Sequence, residues 1–361
     1  MKPIKAAVIG GGINGLCIAW ELARNGLETI LFERKYCLSA TSSASTKLLH
    51  GGLRYLEQGN FGLVFDALRE RDRWLKEVPQ HCHWLELSLP IYAITQRPSW
   101  LYRAGLTLYD SLAVGRIPSR SRWVDGPLFS QQNSVLRSEQ LRGGFTFWDG
   151  QMDEAKLGAW VKQQAVAAGC HIYEGTVVER VSSEGRLYIE NGLAHQFDWL
   201  INATGPWAQA LLTSSGLPTP IQLDLVRGSH LILPGYLPRG YFLEIPGSNR
   251  ICFALPYQDS ILLGTTEFRQ TLDEPIQPSP EEVKDLLQVY NYYFKGRRQS
   301  SDILSSFSGL RPLVKSRDNP SDSPRDAEVL FQSRLITVFG GKWTTARSLA
   351  KKIVLNILKK S

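Results

Sequence analysis

The chain has no run of about 18 apolar residues, so nothing in it reads as a bilayer-spanning helix. Its five cysteines, Cys17, Cys37, Cys82, Cys170 and Cys252, form no C-x-x-C pair. That spacing excludes the usual zinc sites and a disulfide framework, and a reducing cytoplasm is the expected compartment. Only three residues precede the apolar stretch from Ile4 to Ile9, so no secretory leader is expected there. Internal repeats, low-complexity segments and zinc-finger or RNA-binding signatures are also missing, which argues against nucleic acid as a partner. What is present is a 361-residue chain, 43% hydrophobic and 21% charged, long enough to bury the cores of two domains. Its net charge of +7 is concentrated at the end: Lys342, Arg347, Lys351, Lys352, Lys359 and Lys360 fall in a stretch without an acid.

The apolar stretch from Ile4 to Ile9 leads into Gly10-Gly11-Gly12-Ile13-Asn14-Gly15. Leu16 to Asn25 then carries apolar residues at helical spacing, Gly26 supplies a stop, and Thr29 to Glu33 reads as a second strand. Gly10, Gly12 and Gly15 permit a tight turn and close backbone approach, the helix N-terminus faces a pyrophosphate, and Glu33 suits ribose hydroxyls. This defines a dinucleotide site without separating FAD from NAD. The next stretch, Ala40 to Tyr55, concentrates Thr41, Ser42, Ser45, Lys47, His50, Gly51, Gly52, Arg54 and Tyr55. Paired glycines let a planar ring approach the backbone, whereas an enzyme using soluble NAD would continue into another βα unit. FAD is therefore the expected cofactor.

Arg69 to Glu77 reads as a helix ended by Pro79, and His83 to Phe147 mixes aromatics with short strands, a first excursion from the nucleotide fold. Asp153 to Ala168 places Leu157, Trp160, Val161 and Ala165 on one helical face. Strands are expected over Gly175 to Val181, Leu187 to Glu190 and Trp199 to Gly205. A second excursion follows with strands at Ser229 to Leu233, Ile251 to Leu255 and Ile261 to Thr265, forming a sheet that roofs a pocket, and then a helix over Glu281 to Phe294. Arg311 and Lys342 stand beside the glycine turns at Gly309 and Gly340-Gly341, where a guanidinium fork and a point charge suit an anionic substrate. His50 and His230 are the candidate acid/base groups. A last helix, Trp343 to Lys360, aligns Ala346, Leu349, Ala350, Ile353 and Ile357; that face either docks on the nucleotide part or, with Trp100 to Tyr109, meets an anionic membrane surface.

Taken in order, Val8 to Gly15, Ala40 to Tyr55, Asn202 to Trp207, Gly228-Ser-His230, Gly264-Thr-Thr266, Ser308 to Pro312 and Phe339 to Lys342 resemble the FAD-dependent glycerol-3-phosphate dehydrogenases over nearly the whole chain. The resemblance implies an α/β fold in which an FAD-binding Rossmann-like domain of the GR2/DAO type (1–80, 146–222 and 305–361) is interleaved with a mixed β-sheet substrate domain (81–145 and 223–304). It implies FAD held by Gly10, Gly12, Ile13, Asn14, Gly15, Glu33 and Arg34, and by Thr41, Ser42, Ser45, Lys47, Leu48, His50, Gly51 and Gly52. Val178, Ala203, Thr204, Gly205, Gly309, Gly341, Lys342, Trp343 and Thr344 complete that set. Attachment is expected to be noncovalent, because no cysteine follows Cys252.

The resemblance further implies catalytic roles for His50, Arg54, His230, Arg311 and Lys342, with Arg54, Tyr55, Thr266, Arg311, Arg325 and Lys342 around the substrate. The implied reaction oxidises sn-glycerol 3-phosphate to dihydroxyacetone phosphate by hydride transfer to flavin N5, with electrons passing to quinone or oxygen. The expected location is cytoplasmic, with peripheral attachment to the inner face of the membrane as the alternative. Two departures stand out: Glu267 replaces the family's usual Asp, and the helical C-terminal domain of typical members is missing. Another 2-hydroxy acid or amine as substrate, or a flavoprotein subunit needing a partner chain for turnover, are the alternatives.

Overall fold

Lys5–Ile9 is a strand with Ala6, Ala7, Val8 and Ile9 all buried, the near-continuous apolar pattern of a parallel strand covered on both faces. The computed structural model describes residues 4–57, 59–113, 117–190, 192–315 and 327–360. In it Lys5–Ile9 lies at the centre of a six-stranded sheet, in the order Glu328–Gln332, Leu335–Phe339, Trp199–Asn202, Lys5–Ile9, Glu28–Glu33 and His171–Glu174. Only the edge pair Glu328–Gln332 and Leu335–Phe339 is antiparallel. Ile9 is in register with Asn202, so the turns at Gly10 and Ala203 leave the sheet side by side at its carboxyl edge, where ligands of open α/β sheets bind.

Helix Ile13–Arg24 links the first two strands and buries Ile13, Leu16, Cys17, Ile18 and Leu22. Helix Glu154–Ala167 packs beside it, started by Asp153, whose carboxylate accepts the Lys156 N–H at 3.1 Å, and Leu157, Val161 and Ala165 are buried as its spacing required. The C-terminal helix runs over Ala346–Lys360 rather than from Trp343, because Trp343 to Thr345 belong to the preceding turn. Ala346, Leu349, Ala350, Ile353 and Ile357 are buried in the same core, so this face docks on the nucleotide half and is not offered to a membrane.

A ten-stranded mixed sheet forms the other half. Its path runs Phe268–Arg269, Leu223–Pro234, Ser260–Gly264, Ile251–Tyr257, Gly240–Glu244, Cys82–Tyr92, Leu141–Met152 and Leu48–Leu49, with Ser305–Val314 and Arg122–Asp125 attached at its side. The expected division between residues 145 and 146 falls inside Leu141–Met152, one continuous strand that carries the chain from this half toward the other. Ser305–Val314, grouped by sequence with the nucleotide domain, pairs along Leu223–Pro234 from Leu223↔Val314 to Ile232↔Ser305. Helix Pro280–Tyr293 packs on this sheet behind a complete capping box formed by Ser279 and Glu282. Among the described residues no helix is long and apolar enough to cross a membrane.

Candidate active site

A cleft of about 690 Å³ opens at the carboxyl edge of the six-stranded sheet, within the usual range for a cofactor pocket. Its walls include Gly10, Gly12, Ile13, Asn14, Glu33, Arg34, Thr41, Ser42, Val178, Ala203, Thr204, Gly205, Gly309, Gly341, Lys342 and Trp343. Gly10 has φ +103°, and a Cβ there would stand 2.7 Å from the Ala203 carbonyl oxygen. A Cβ on Gly15 would overlap the Gly10 carbonyl oxygen. Both glycines therefore keep the turn flat against the helix N-terminus, where unpaired backbone N–H groups and the helix dipole favour a phosphate.

The walls suit a dinucleotide in other ways. Asn14 donates to the Gly340 carbonyl at 3.2 Å, while its own Oδ1 is buried and accepts from no described residue. Glu33 accepts the Gly11 N–H at 2.7 Å and the Lys35 N–H at 2.9 Å, and an ionised carboxylate keeps further lone pairs for ribose hydroxyls. The Arg34 guanidinium lies 3.7 Å above the Trp207 ring, giving the cleft a flat cationic wall near Thr176, Val177 and Val178.

The Ala40 to Tyr55 segment crosses between the two halves and is tied to both. Ser42 Oγ accepts the Ile13 N–H at 3.0 Å, Thr41 donates to the Leu310 carbonyl at 2.8 Å, and Trp343 donates from its indole to the Ser42 carbonyl at 2.9 Å. The His50 N–H donates to Thr344 Oγ1 at 3.3 Å. Leu48 and Leu49 pair with Gln151 and Gly150. The 690 Å³ cleft is not lined by Gly15, Ser45, Lys47, Leu48, His50, Gly51, Gly52 or Thr344. Ser45 and Lys47 in particular turn to Glu154: the Ser45 hydroxyl and the Lys47 ammonium both donate to its buried carboxylate, and Lys47 also lies 4.5 Å over the Phe307 ring. Glu154 was not singled out by sequence, since an acid in a helix's first turn looks like a dipole partner.

Arg311 and Lys342 each meet another of the candidates. Arg311 donates to the Thr266 carbonyl at 2.7 Å and lies 3.7 Å from Glu267. The Thr266 hydroxyl points away, accepting the Ser229 N–H at 2.8 Å and donating to Glu282 at 2.5 Å. Thr266 thus reaches the site through its backbone. Burial pushes the Glu282 carboxyl up, but hydrogen bonds from Thr266, the Ser279 N–H, Ser229 and Arg227 outweigh it and hold the group below its usual range. Lys342 Nζ lies 3.9 Å over the Tyr55 ring. Arg54 opens the short helix Arg54–Glu57; its side chain, and Arg325 with its neighbours 316–326, lie outside the described residues.

His230 is 2% exposed, stacked on Phe307 with centroids 4.9 Å apart and joined to Thr46 Oγ1 at 3.0 Å. Burial, aided by the charges of Lys47 and Arg311, lowers its pKa from 6.5 to about 3, so it is neutral at working pH and a poor proton acceptor there. A depressed imidazole gives stability that is complete above its unfolded pKa and is lost as pH falls toward the folded one. The thermal midpoint should therefore fall on acidification from pH 6.5 toward 3, and His230→Asn should flatten that slope. An identical acid-side slope in the variant would remove His230 as the cause.

The flat glycine turn, the helix N-terminus, the Glu33 carboxylate and the walled cleft define a dinucleotide-binding site, and they fit FAD. Residues 5–354 match the FAD dependent oxidoreductase (DAO) family, and the chain belongs to it. Within it the chain is an oxidoreductase of the glycerol-3-phosphate dehydrogenase type. It is 38% identical to a glycerol-3-phosphate dehydrogenase of Pseudomonas aeruginosa, over 97% of this chain and 71% of that protein. It is 36% identical to the aerobic glycerol-3-phosphate dehydrogenase of Escherichia coli, over 95% of this chain and 71% of that one. It is also 35% identical to D-erythritol 1-phosphate dehydrogenase of Brucella abortus. The fold superposes on a Bacillus halodurans glycerol-3-phosphate dehydrogenase complexed with FAD with a TM-score of 0.79 at 24% identity, covering 99% of this chain and 65% of that one.

Proposed function

We propose that the chain oxidises sn-glycerol 3-phosphate at C2, giving dihydroxyacetone phosphate. The observation that carries this reading is the pair of cations Arg311 and Lys342, set beside Gly309 and Gly341 of the cleft wall. When bound, FAD supplies the acceptor for the hydride that leaves C2. The chain's own groups bind and orient: Arg311, its fork fixed by the Thr266 carbonyl, holds phosphate oxygens together with Arg54 and Arg325, while Lys342 and Tyr55 face the polyol. Lys342 also stabilises negative charge developing on the C2 oxygen. Of the two imidazoles, His50 takes the hydroxyl proton, because burial against Phe307 depresses the basicity of His230. The final electron acceptor would be a quinone or oxygen. A quinone would bring the chain to a membrane surface, and Trp100, which is 67% exposed, with half-exposed Phe61 offers apolar contact for that.

Anaerobic addition of glycerol 3-phosphate should bleach the visible band of the purified yellow protein. A second reading, a longer polyol phosphate, is supported by the 35% identity to the D-erythritol 1-phosphate dehydrogenase. Bleaching by D-erythritol 1-phosphate and not by glycerol 3-phosphate would replace the first reading with the second.

A further inference from the structure

Three buried polar side chains from three elements outside the cleft form a relay that ends on one peptide of the glycine pair. The Gly51 N–H donates to Tyr109 Oη at 2.8 Å, and the Tyr109 hydroxyl donates in turn to the Asp149 carboxylate at 2.8 and 2.9 Å. Arg71, fully buried, donates to Asp149 at 2.9 Å and to Asp72 at 3.0 Å. Tyr109 is 1% exposed and Asp149 4%, so none of these groups draws on solvent. A buried ion pair is weak evidence for stability by itself, and apolar packing would serve a core as well or better. What this one does is orient: Asp149, fixed by Arg71, leaves the Tyr109 oxygen with its proton committed and its lone pairs turned to Gly51. Gly51 has no room to drift, since a Cβ there would lie 2.8 Å from both Leu68 Cδ2 and Tyr109 Cε2.

We propose that Tyr109, oriented by the Arg71–Asp149 pair, is a positioning residue that fixes the Gly51–Gly52 turn for the flavin ring. The proposal rests on the reading of that turn as flavin-facing. Arg71 comes from helix Phe61–Glu77, Tyr109 from helix Ser99–Leu112 and Asp149 from strand Leu141–Met152, so the backbone beside the ring is set by elements that do not touch the cofactor cleft.

Tyr109→Phe keeps the ring and its edge contact with Phe147 and deletes only the oxygen. Tyr293→Phe is the matched control: it deletes an equally buried hydroxyl, one that donates to the Glu244 carbonyl at 2.5 Å in the other half. Three readouts are needed on full-length chain: FAD dissociation constant, the visible flavin spectrum, and deuterium uptake of residues 45–57 with and without FAD. Tyr109→Phe should weaken FAD about tenfold, shift the flavin band and speed exchange in 45–57. Tyr293→Phe should lower thermal stability and leave all three unchanged. If FAD slows exchange in 45–57 of the parent but Tyr109→Phe alters neither affinity nor spectrum, the positioning role is overturned while the reading of the turn stands. If FAD does not slow exchange there at all, both fall.

Discussion

Gly15→Ala is expected to yield a chain that purifies without FAD. The new Cβ overlaps the Gly10 carbonyl oxygen, a backbone atom that cannot move without opening the turn, and Gly10 is itself pressed against Ala203. Overpacking of this kind costs about 3 kcal/mol, and because the strain lies in the phosphate-facing turn it falls on cofactor binding, on the order of a hundredfold in affinity. Bound FAD per chain after gel filtration measures the effect. A stoichiometric yellow Gly15→Ala protein would show that this turn is not the cofactor's seat.

The second large effect is expected at a buried ion pair. Lys47 and Glu154 are 5% and 6% exposed at their side chains, and Glu154→Leu would strand the ammonium over the Phe307 ring with no carboxylate to meet it. Breaking one side of such a pair costs about 3–5 kcal/mol, whereas replacing both partners by apolar groups is often neutral. Chemical denaturation should therefore show Glu154→Leu strongly destabilised and Lys47→Met with Glu154→Leu restored toward the parent. A double variant no more stable than the single one would mean that the cost arises from packing, not from the lone charge.

The nucleotide half was legible because its signals are local. Glycines set three and two apart, an apolar strand on either side and helical spacing between them leave few alternatives, and Ile13–Arg24 and Glu28–Glu33 lie within a few residues of the expected elements. Helix Pro280–Tyr293 was legible for the same reason. Helix Ser99–Leu112 was not: it buries only Tyr102, Leu106 and Tyr109 among aromatics spread on several faces, so its period is blurred and the stretch reads as mixed strands. Phe61–Glu77 was recognised only in its charged second half, because its first half carries no charge pattern.

At the site, residue types were legible and directions were not. Thr266, Ser45 and Lys47 are near the expected chemistry, yet their side chains serve Glu282 and Glu154, acids more than a hundred positions away from the latter two. Long-range partners of that kind leave no periodic trace. One was within reach: Ser279-x-x-Glu282 is a capping box in plain sight, though nothing in the sequence announces that its carboxylate also reaches Ser229 and Arg227.

The central strand Lys5–Ile9 has neighbours drawn from far along the chain. Trp199–Asn202 lies on one side, with Leu335–Phe339 beyond it, and Asn14 closes onto Gly340 across 326 residues. Contacts so distant in sequence are slow to form, and during synthesis they cannot form at all until the later segment has left the ribosome. At about 5–20 residues per second, the first βαβ unit waits on the order of tens of seconds for residues 335–345. Until then the outer edge of Trp199–Asn202 and the part of the Ile13–Arg24 face covered by the C-terminal helix are exposed on the nascent chain. The cofactor pocket is accordingly among the last parts of this molecule to form.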